Sequence, residues 1–238
     1  MLKQSTPTGT LGAMCVMALT FGMSILNGQT AQAQGTVVGS KHDLRAVGGG
    51  TPTGTGLNEV CVVCHTPHQA VAANSQDPLW NHTGTATAAF GVYASPTLNA
   101  VPTAIAGGAM GGQSASLLCM SCHDGTVSVL SMYNPPNAGT PTVAAVASRI
   151  SAAGLIVSNT NVGTSLSDDH PVNFTYNTAL AAADGGLVDP ASNTTVASWL
   201  IGGTMQCSSC HSTHNPTNVP FLRTSNVGSA LCLACHIK

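Results

Sequence analysis

Charged and aromatic side chains are scarce in this chain. Only 6% of its 238 residues are Asp, Glu, Lys or Arg, and 4% are Phe, Trp or Tyr, whereas charged residues make up about 25% of an ordinary globular domain. Six basic and eight acidic residues give a formal net charge of −2. This composition argues against a basic nucleic-acid-binding surface. It also predicts that a conventional hydrophobic core would be thin.

Long apolar runs are also few, and the one that stands out lies near the N-terminus. A mainly apolar stretch over residues 11–26 is followed by Ala31-Gln32-Ala33, the small-x-small pattern that signal peptidase recognises. We therefore predict a signal peptide over residues 1–33 and an exported mature protein, residues 34–238, that forms a single domain. No later segment is long and apolar enough to span a bilayer, so we expect no membrane span after processing.

Against this sparse background, the motif Cys-x-x-Cys-His occurs four times and accounts for eight of the nine cysteines. Each copy matches the attachment site of a c-type haem, in which two thiols bind the haem covalently and the histidine becomes the proximal iron ligand. The four copies comprise Cys61, Cys64 and His65; Cys119, Cys122 and His123; Cys207, Cys210 and His211; and Cys232, Cys235 and His236. The sequence therefore predicts four covalently bound haem c groups.

Zinc and disulfide bonds are the alternative interpretations of these cysteines. Paired Cys-x-x-Cys units also supply the tetrahedral sites of zinc ribbons, but zinc does not explain why a histidine follows every pair. A disulfide across two intervening residues closes a very small loop and gives little stabilisation. Haem is the interpretation that uses all three motif residues.

Four haems would also supply the apolar volume that the side chains lack. Each haem is a large apolar disc tied to the chain by two thioether bonds, so it can serve as both core and staple. With 26 glycines and 13 prolines, we predict a multihaem cytochrome c fold that is mostly coil, with short helices at the motifs and few short strands wrapped around a haem stack. Periodicity predicts one further helix over residues 143–153 and strand-like runs over residues 172–176 and 196–201.

The second axial ligand of each iron decides between an electron carrier and an enzyme. Histidine on both faces saturates the iron and favours outer-sphere electron transfer, whereas a reductase needs an open position. Five histidines remain outside the motifs, and this surplus favours bis-histidine ligation, with methionine as the alternative ligand. His68 and His214 each follow a motif histidine by three residues, so neither can easily cross to the distal face of its own haem, and each is placed to reach a different one. The five histidines are His42, His68, His82, His170 and His214. The methionines outside the predicted signal peptide are Met110, Met120, Met132 and Met205; Met120 lies within the second motif, and nothing in the sequence marks the others as ligands.

Several stretches of the chain resemble secreted multihaem cytochromes. The segment from Cys207 to His214, followed by Phe221-Leu222-Arg223 and by residues 231–236, resembles their doubled Cys-x-x-Cys-His unit. Further similarities lie at residues 40–44, 64–68, 78–82, 121–126 and 169–172. In haem number and size the chain resembles the tetrahaem filament cytochromes of the OmcE type.

This resemblance implies an extracellular filament, or nanowire, of subunits joined head to tail as a homopolymer. It implies bis-histidine haems in alternating parallel and T-shaped neighbours, with His42, His68, His170 and His214 as the distal ligands. His82 is then the spare histidine, and His68 is expected to be donated to the adjacent subunit. The implied function is electron transport to redox partners or extracellular acceptors, with no catalysed reaction.

Two other functions stay open from the sequence. A monomeric periplasmic electron shuttle would need the same haems together with a charged docking face, which a chain with 6% charged residues can hardly build. A multihaem reductase would need at least one iron with an open or weakly held site. We therefore expect an electron-transfer protein that is secreted, extracellular or at the cell surface, with the periplasm as the alternative location.

Overall fold

A computed structural model describes residues 36–45, 57–70, 79–108, 114–136 and 149–237. Within these ranges the chain is mostly coil, with five short α-helices and two sheets of two strands each. The predicted coil-rich fold is thereby confirmed. The predicted signal peptide, residues 1–33, lies outside the described residues.

Both sheets are minimal antiparallel ladders. Strand β1 (Ala89–Phe90) pairs with β2 (Ile105–Ala106), and β3 (Phe174–Thr175) pairs with β4 (Thr204–Met205). The backbone at Gly107 and the backbone at Thr87 approach each other very closely beside β1. A Cβ added at Gly107 would lie 1.8 Å from the Thr87 carbonyl oxygen. Only glycine fits at that position.

The helices are one or two turns long. They are α1 (Ala115–His123), α2 (Thr178–Asp184), α3 (Thr194–Trp199), α4 (Cys207–Cys210) and α5 (Ala230–Cys235), and a 3-10 turn (Val227–Ser229) precedes α5. Side chains cap the first turn of the first three: Ser114 accepts from the N–H of Ser116, Asn177 from Leu180 and Asn193 from Val196. Such caps satisfy N–H groups that the helix itself leaves free.

Within the described residues, buried apolar side chains form three small clusters in place of one core. The first contains Trp80, Phe90, Ile105, Leu117, Met120 and Leu166. The second contains Leu57, Val63, Val129, Leu130, Ile150 and Ile156. The third contains Phe174, Tyr176, Leu180, Ala181, Val196 and Met205. A motif cysteine packs against each cluster, since Cys64 touches the first, Cys122 the second and Cys235 the third. The apolar packing is thus distributed along the motifs.

Three of the four motifs lie on helices, as the sequence predicted. The second motif occupies the end of α1, the third forms α4, and the fourth forms most of α5. The first motif makes a single turn, in which the N–H groups of Cys64 and His65 both bond to the Cys61 carbonyl, at 3.1 and 2.8 Å.

The secondary-structure predictions between the motifs fared less well. Residues 196–201 were predicted as a strand, but helix α3 occupies most of them because the Asn193 side chain caps a helical turn at Val196. Of the run predicted over residues 172–176, only Phe174–Thr175 is strand. The predicted helix over residues 143–153 lies partly outside the described residues, and its described part, 149–153, is not helical. There Ile150 pairs with Ile156 across a tight turn at Gly154, which has a φ of 80°.

Among the described residues, no helix has the length and apolar character to cross a membrane.

Candidate haem attachment sites

Each motif folds so that its three reactive side chains face the same way. In the first, third and fourth motifs the histidine N–H bonds to the carbonyl of the first cysteine, at 2.8, 3.1 and 2.9 Å, and the second motif lies inside α1. Helical positions i, i+3 and i+4 share one face. Two thiols and an imidazole therefore line one side of every motif, as covalent attachment of a haem beside its iron ligand requires.

Three motif histidines lie opposite a histidine from elsewhere in the chain. The ring centroids of His123 and His42 are 6.1 Å apart, those of His65 and His214 are 6.0 Å apart, and those of His236 and His170 are 6.3 Å apart. Each pair joins one predicted proximal ligand to one predicted distal ligand. No histidine is used twice.

This spacing fits a bis-histidine haem. An imidazole nitrogen lies about 2 Å from a bound first-row metal ion, so two imidazoles on opposite faces of one ion have centroids roughly 6 Å apart. The interplanar angles of 89°, 23° and 73° leave the three pairs with different relative ring orientations. The residues present therefore suit the cofactor that the motifs imply.

In several of these rings, a hydrogen bond at Nδ1 leaves Nε2 available to bind a metal. His123 bonds to the Thr160 carbonyl at 2.7 Å, His170 to Pro171 at 2.9 Å and His211 to Pro220 at 3.0 Å, each through Nδ1. A carbonyl can only accept, so the proton sits on Nδ1 and the lone pair of Nε2 is available to a metal.

Burial favours the neutral form of two of the predicted distal imidazoles, those of His42 and His214. The pKa of His42 is lowered from 6.5 to about 4 by burial and by the nearby His123, against the opposing effect of the Thr213 carbonyl. Burial lowers the pKa of His214 as well, and His65 adds to this effect. Neutral imidazole is the form that binds iron.

His211, the histidine of the third motif, differs from the other three motif histidines. Among the residues that the structure describes, His211 has no ring partner at comparable spacing, and neither does His68. Both side chains are exposed. His211, a predicted proximal ligand, and His68, a predicted distal ligand, therefore lie on the surface with no histidine ring facing them among the described residues.

His82, predicted to be the spare histidine, occupies a different environment. It is 1% exposed, and its Nδ1 and Nε2 lie 2.8 and 3.0 Å from the carbonyls of Thr83 and Ser128. Burial lowers its pKa, against the effect of these carbonyls. Nε2 also lies 3.2 Å from the thiol of Cys122, so the buried ring contacts two backbone carbonyls and one cysteine of the second motif.

Thiols of successive motifs lie near one another. Burial raises the pKa of Cys122, and the charge of Cys64 adds to this rise. Burial likewise raises the pKa of Cys235 to about 11, with Cys210 contributing. A hydrogen bond from Cys119 to Cys207 raises the pKa of the first thiol and lowers that of the second. The motifs therefore neighbour each other in the order of the sequence.

A structural zinc site needs four converging ligands. Across the part of the chain that the structure describes, no three His, Cys, Asp or Glu side chains form a cluster that could hold a metal ion. The eight motif cysteines are free thiols.

Polar residues to which the sequence analysis assigned no role hold the motifs in place. The buried amide of Asn81 donates to the Val62 carbonyl at 2.6 Å, inside the first motif. Asp124, directly after the second motif, is 3% exposed and accepts from the hydroxyls of Thr85, Thr87 and Thr126. Gln206, directly before the third motif, is 4% exposed. Apart from Thr126, which is two residues from Asp124, their partners are distant in the sequence, so no local pattern could have identified them.

Residues 202–238 match the family model described as the doubled CXXCH motif, which covers the third and fourth motifs. The match indicates covalent binding of c-type haem and a cytochrome-type electron carrier. No curated protein matches the chain.

Proposed function

We propose that this chain is an exported tetrahaem cytochrome that transfers electrons outside the cell as the subunit of a conducting filament. The observation that carries the proposal is the set of three histidine pairs at 6.0 to 6.3 Å. Each pair matches a proximal ligand with a distal one, and together they leave one exposed histidine of each kind.

The chain contributes attachment, ligation and spacing. The eight motif cysteines would form thioethers, and the motif histidines would bind the proximal faces of the irons. His42, His170 and His214 would saturate the distal faces of the haems on His123, His236 and His65. The haem iron supplies the one-electron chemistry, and two strong nitrogen ligands favour a low reduction potential because no methionine raises it.

The exposed pair explains why subunits would join. Among the described residues of one subunit, no histidine ring lies opposite His211 or His68 at the spacing of the three pairs, and both side chains lie at the surface. If His68 binds the iron on His211 of the next subunit, the contact is heterologous and does not close on itself. Contacts of that type generate open filaments, and this one would extend the haem chain across each interface.

Export and low charge are compatible with this role. The predicted cleavage after Ala33 would deliver residues 34–238 to the oxidised side of the membrane, where c-type haem is attached. After removal of the signal peptide and its Lys3, the protein has five basic and eight acidic residues. Haem propionates would add further negative charge. A chain with 6% charged residues offers little repulsion between neighbouring subunits.

The first test concerns haem number and ligation. We expect intact mass spectrometry of the exported protein to show four covalently attached haems, and electronic and electron paramagnetic resonance spectra to show only low-spin iron. A mass increase corresponding to fewer haems would contradict the proposed cofactor content.

The second test couples ligation to assembly. His68→Ala should leave one iron per subunit without its distal ligand and should shorten or abolish the filaments seen by electron microscopy. Gln69→Asn is the matched control, because Gln69 is also exposed and its φ of 53° is one that asparagine tolerates. Filaments of normal length from His68→Ala, with all iron low-spin, would refute ligand donation by His68.

His82 provides a further check on the ligand set. His82→Ala should keep every iron low-spin, whereas His42→Ala, His170→Ala or His214→Ala should each alter one haem. Spectral damage from His82→Ala equal to that from the other three would overturn the assignment.

One observation favours a second candidate function. Because His211 has no ring partner within the described part of the subunit, an unassembled subunit would carry one iron with an open position, as a reductase requires. Carbon monoxide binding separates the two functions. The filament proposal predicts no binding by the native reduced assembly, and a reductase predicts stoichiometric binding at one haem.

A further inference from the structure

We propose that Gln206 is a positioning residue, and that its buried side-chain amide fixes the spacing between the haems of the second and third motifs. The inference rests on the proposed function, since it requires haem at both motifs. Gln206 acts through a set of hydrogen bonds, here termed the Gln206 clamp, that joins helix α1 to helix α4. The clamp comprises Ser114, Ser116, Asn173, Thr204 and Gln206.

The oxygen of the amide holds the start of α1. Oε1 accepts from the Ser114 hydroxyl at 2.6 Å, from the Ser116 hydroxyl at 2.7 Å and from the Ser116 N–H at 3.2 Å. Ser116 is 0% exposed. A backbone N–H can only donate, so the amide oxygen must face α1.

The nitrogen of the amide is held on the opposite side. Nε2 donates to Asn173 Oδ1 at 3.2 Å and to Thr204 Oγ1 at 3.0 Å. The Thr204 hydroxyl donates its own proton to the Ile201 carbonyl at 2.6 Å, so it is free to accept from the amide. Both ends of the Gln206 side chain are therefore fixed in one orientation.

A further hydrogen bond joins the second and third motifs. The N–H of Cys207 donates to the Ser116 hydroxyl at 3.0 Å, and that hydroxyl donates to Gln206 Oε1. On α4 the N–H of Gln206 bonds to Ser209 Oγ at 2.9 Å, and the N–H of Ser209 bonds to the Gln206 carbonyl at 2.9 Å. The first turn of α1 is thus bonded to the side chain of Gln206, and the first turn of α4 is bonded to the backbone of Gln206 and to the Ser116 hydroxyl.

The clamp lies next to two of the haem-attachment cysteines, Cys119 and Cys207. Cys119 lies one helical turn beyond Ser116, and Cys207 directly follows Gln206. Helices α1 and α4 contact each other, and the thiols of Cys119 and Cys207 share a hydrogen bond. Haems attached through these sulfurs would be close neighbours. Their relative position then depends on the clamp, because a fully satisfied buried network specifies one arrangement.

Gln206→Met tests this role, since methionine keeps the length and volume of the side chain and removes every hydrogen bond of the amide. We expect four haems by mass and low-spin iron, but a loss of amplitude in the Soret circular dichroism couplet that neighbouring haems produce. The iron–iron distance across the second and third haems, from a structure of the holo-protein variant, should change with it. Gln206→Glu should restore part of the couplet, because its carboxylate keeps the acceptor that faces α1.

Ser116→Ala and Ser121→Ala form a matched pair for the same measurement. Both remove a buried hydroxyl from α1, but the Ser121 hydroxyl bonds to the Leu118 carbonyl and to Cys122 and lies outside the clamp. Ser116→Ala should weaken the couplet and Ser121→Ala should not. If Gln206→Met does not mature, Ser116→Ala decides by the same criterion.

The outcomes separate this inference from the proposed function. An unchanged couplet and iron–iron distance in variants that retain four haems would show that the clamp only stabilises the fold, and would overturn the positioning role. A wild-type protein with fewer than four haems would instead contradict the proposed function.

Discussion

Helix α1, which carries the second motif, and helix α5, which carries the fourth, are held in different ways. Helix α1 has nine residues, a side-chain cap and four buried residues, namely Ser116, Leu117, Met120 and Ser121. Helix α5 has six residues, no side-chain cap and no buried residue. The position of the second motif is therefore set by protein packing, whereas that of the fourth depends on a few bonds and on its haem.

The bonds that hold α5 lie at its C-terminal end. The Cys235 carbonyl accepts from the N–H of Val188 at 2.8 Å and from the Tyr176 hydroxyl at 3.3 Å. Two residues after the helix, the N–H of Ile237 bonds to the Gly186 carbonyl at 2.8 Å. At the N-terminal end, Gly228 and Ser229 have φ values of 62° and 63°. The fourth motif is thus anchored at one end and strained at the other.

Core truncation should show the largest difference between the two helices. Met120 is 1% exposed and Leu233 is 47% exposed, so Met120→Ala should lower the free energy of unfolding by about 2–5 kcal/mol. Leu233→Ala should lower it by about 0.5 kcal/mol or less. Guanidinium denaturation of both holo-proteins measures the two values. Equal losses would mean that α5 is packed as firmly as α1.

Tyr176 tests the anchor of α5. Its hydroxyl donates to the Val188 carbonyl at 2.7 Å and to the Cys235 carbonyl at 3.3 Å, so Tyr176→Phe should lower the free energy of unfolding by about 1–2 kcal/mol. Faster amide exchange should follow at Ile237 and Val188. Unchanged exchange there would show that the haem alone holds the helix.

The same hydroxyl gives the stability a pH dependence. Burial, with smaller effects from Cys235 and two aspartates, raises the pKa of Tyr176 from 10.0 to about 12. The folded state therefore favours the neutral phenol, whose contribution to stability is complete below pH 10 and is lost as the pH rises through 12. Tyr176→Phe should remove this part of the alkaline loss, which denaturation curves between pH 9 and 12 would detect.

Backbone strain before α5 should give the smallest effect. An added Cβ at Gly228 meets no atom within 4 Å, yet its φ is 62°, so Gly228→Ala should lower the free energy of unfolding by about 1 kcal/mol through the backbone alone. Ser229→Gly, at a φ of 63°, should raise it by about 0.5 kcal/mol. Thermal unfolding of the pair measures both signs. A destabilised Ser229→Gly would show that this serine is not strained.

The motif turns were predictable because their pattern is local. A cysteine, a second cysteine three residues on and a histidine after it share a helical face at any place in a chain. The low content of charged and aromatic residues also predicted a thin conventional core, and the described residues form three small apolar clusters. The run at residues 196–201 was misjudged, since its β-branched side chains favour a strand and the deciding contact is the Asn193 cap three residues upstream of Val196.

The sequence by itself determined the haem chemistry and the scarcity of regular structure, because both depend on residue types and on spacings within one helical turn. Only the tertiary structure decided which histidine faces which motif, that Gln206 joins the second and third motifs, and that His68 and His211 stay exposed. Those relations link residues far apart in the chain, such as Gln206 and Ser116 at a separation of 90. Contacts at that range depend on how loops of coil close in space, and no local pattern encodes that closure.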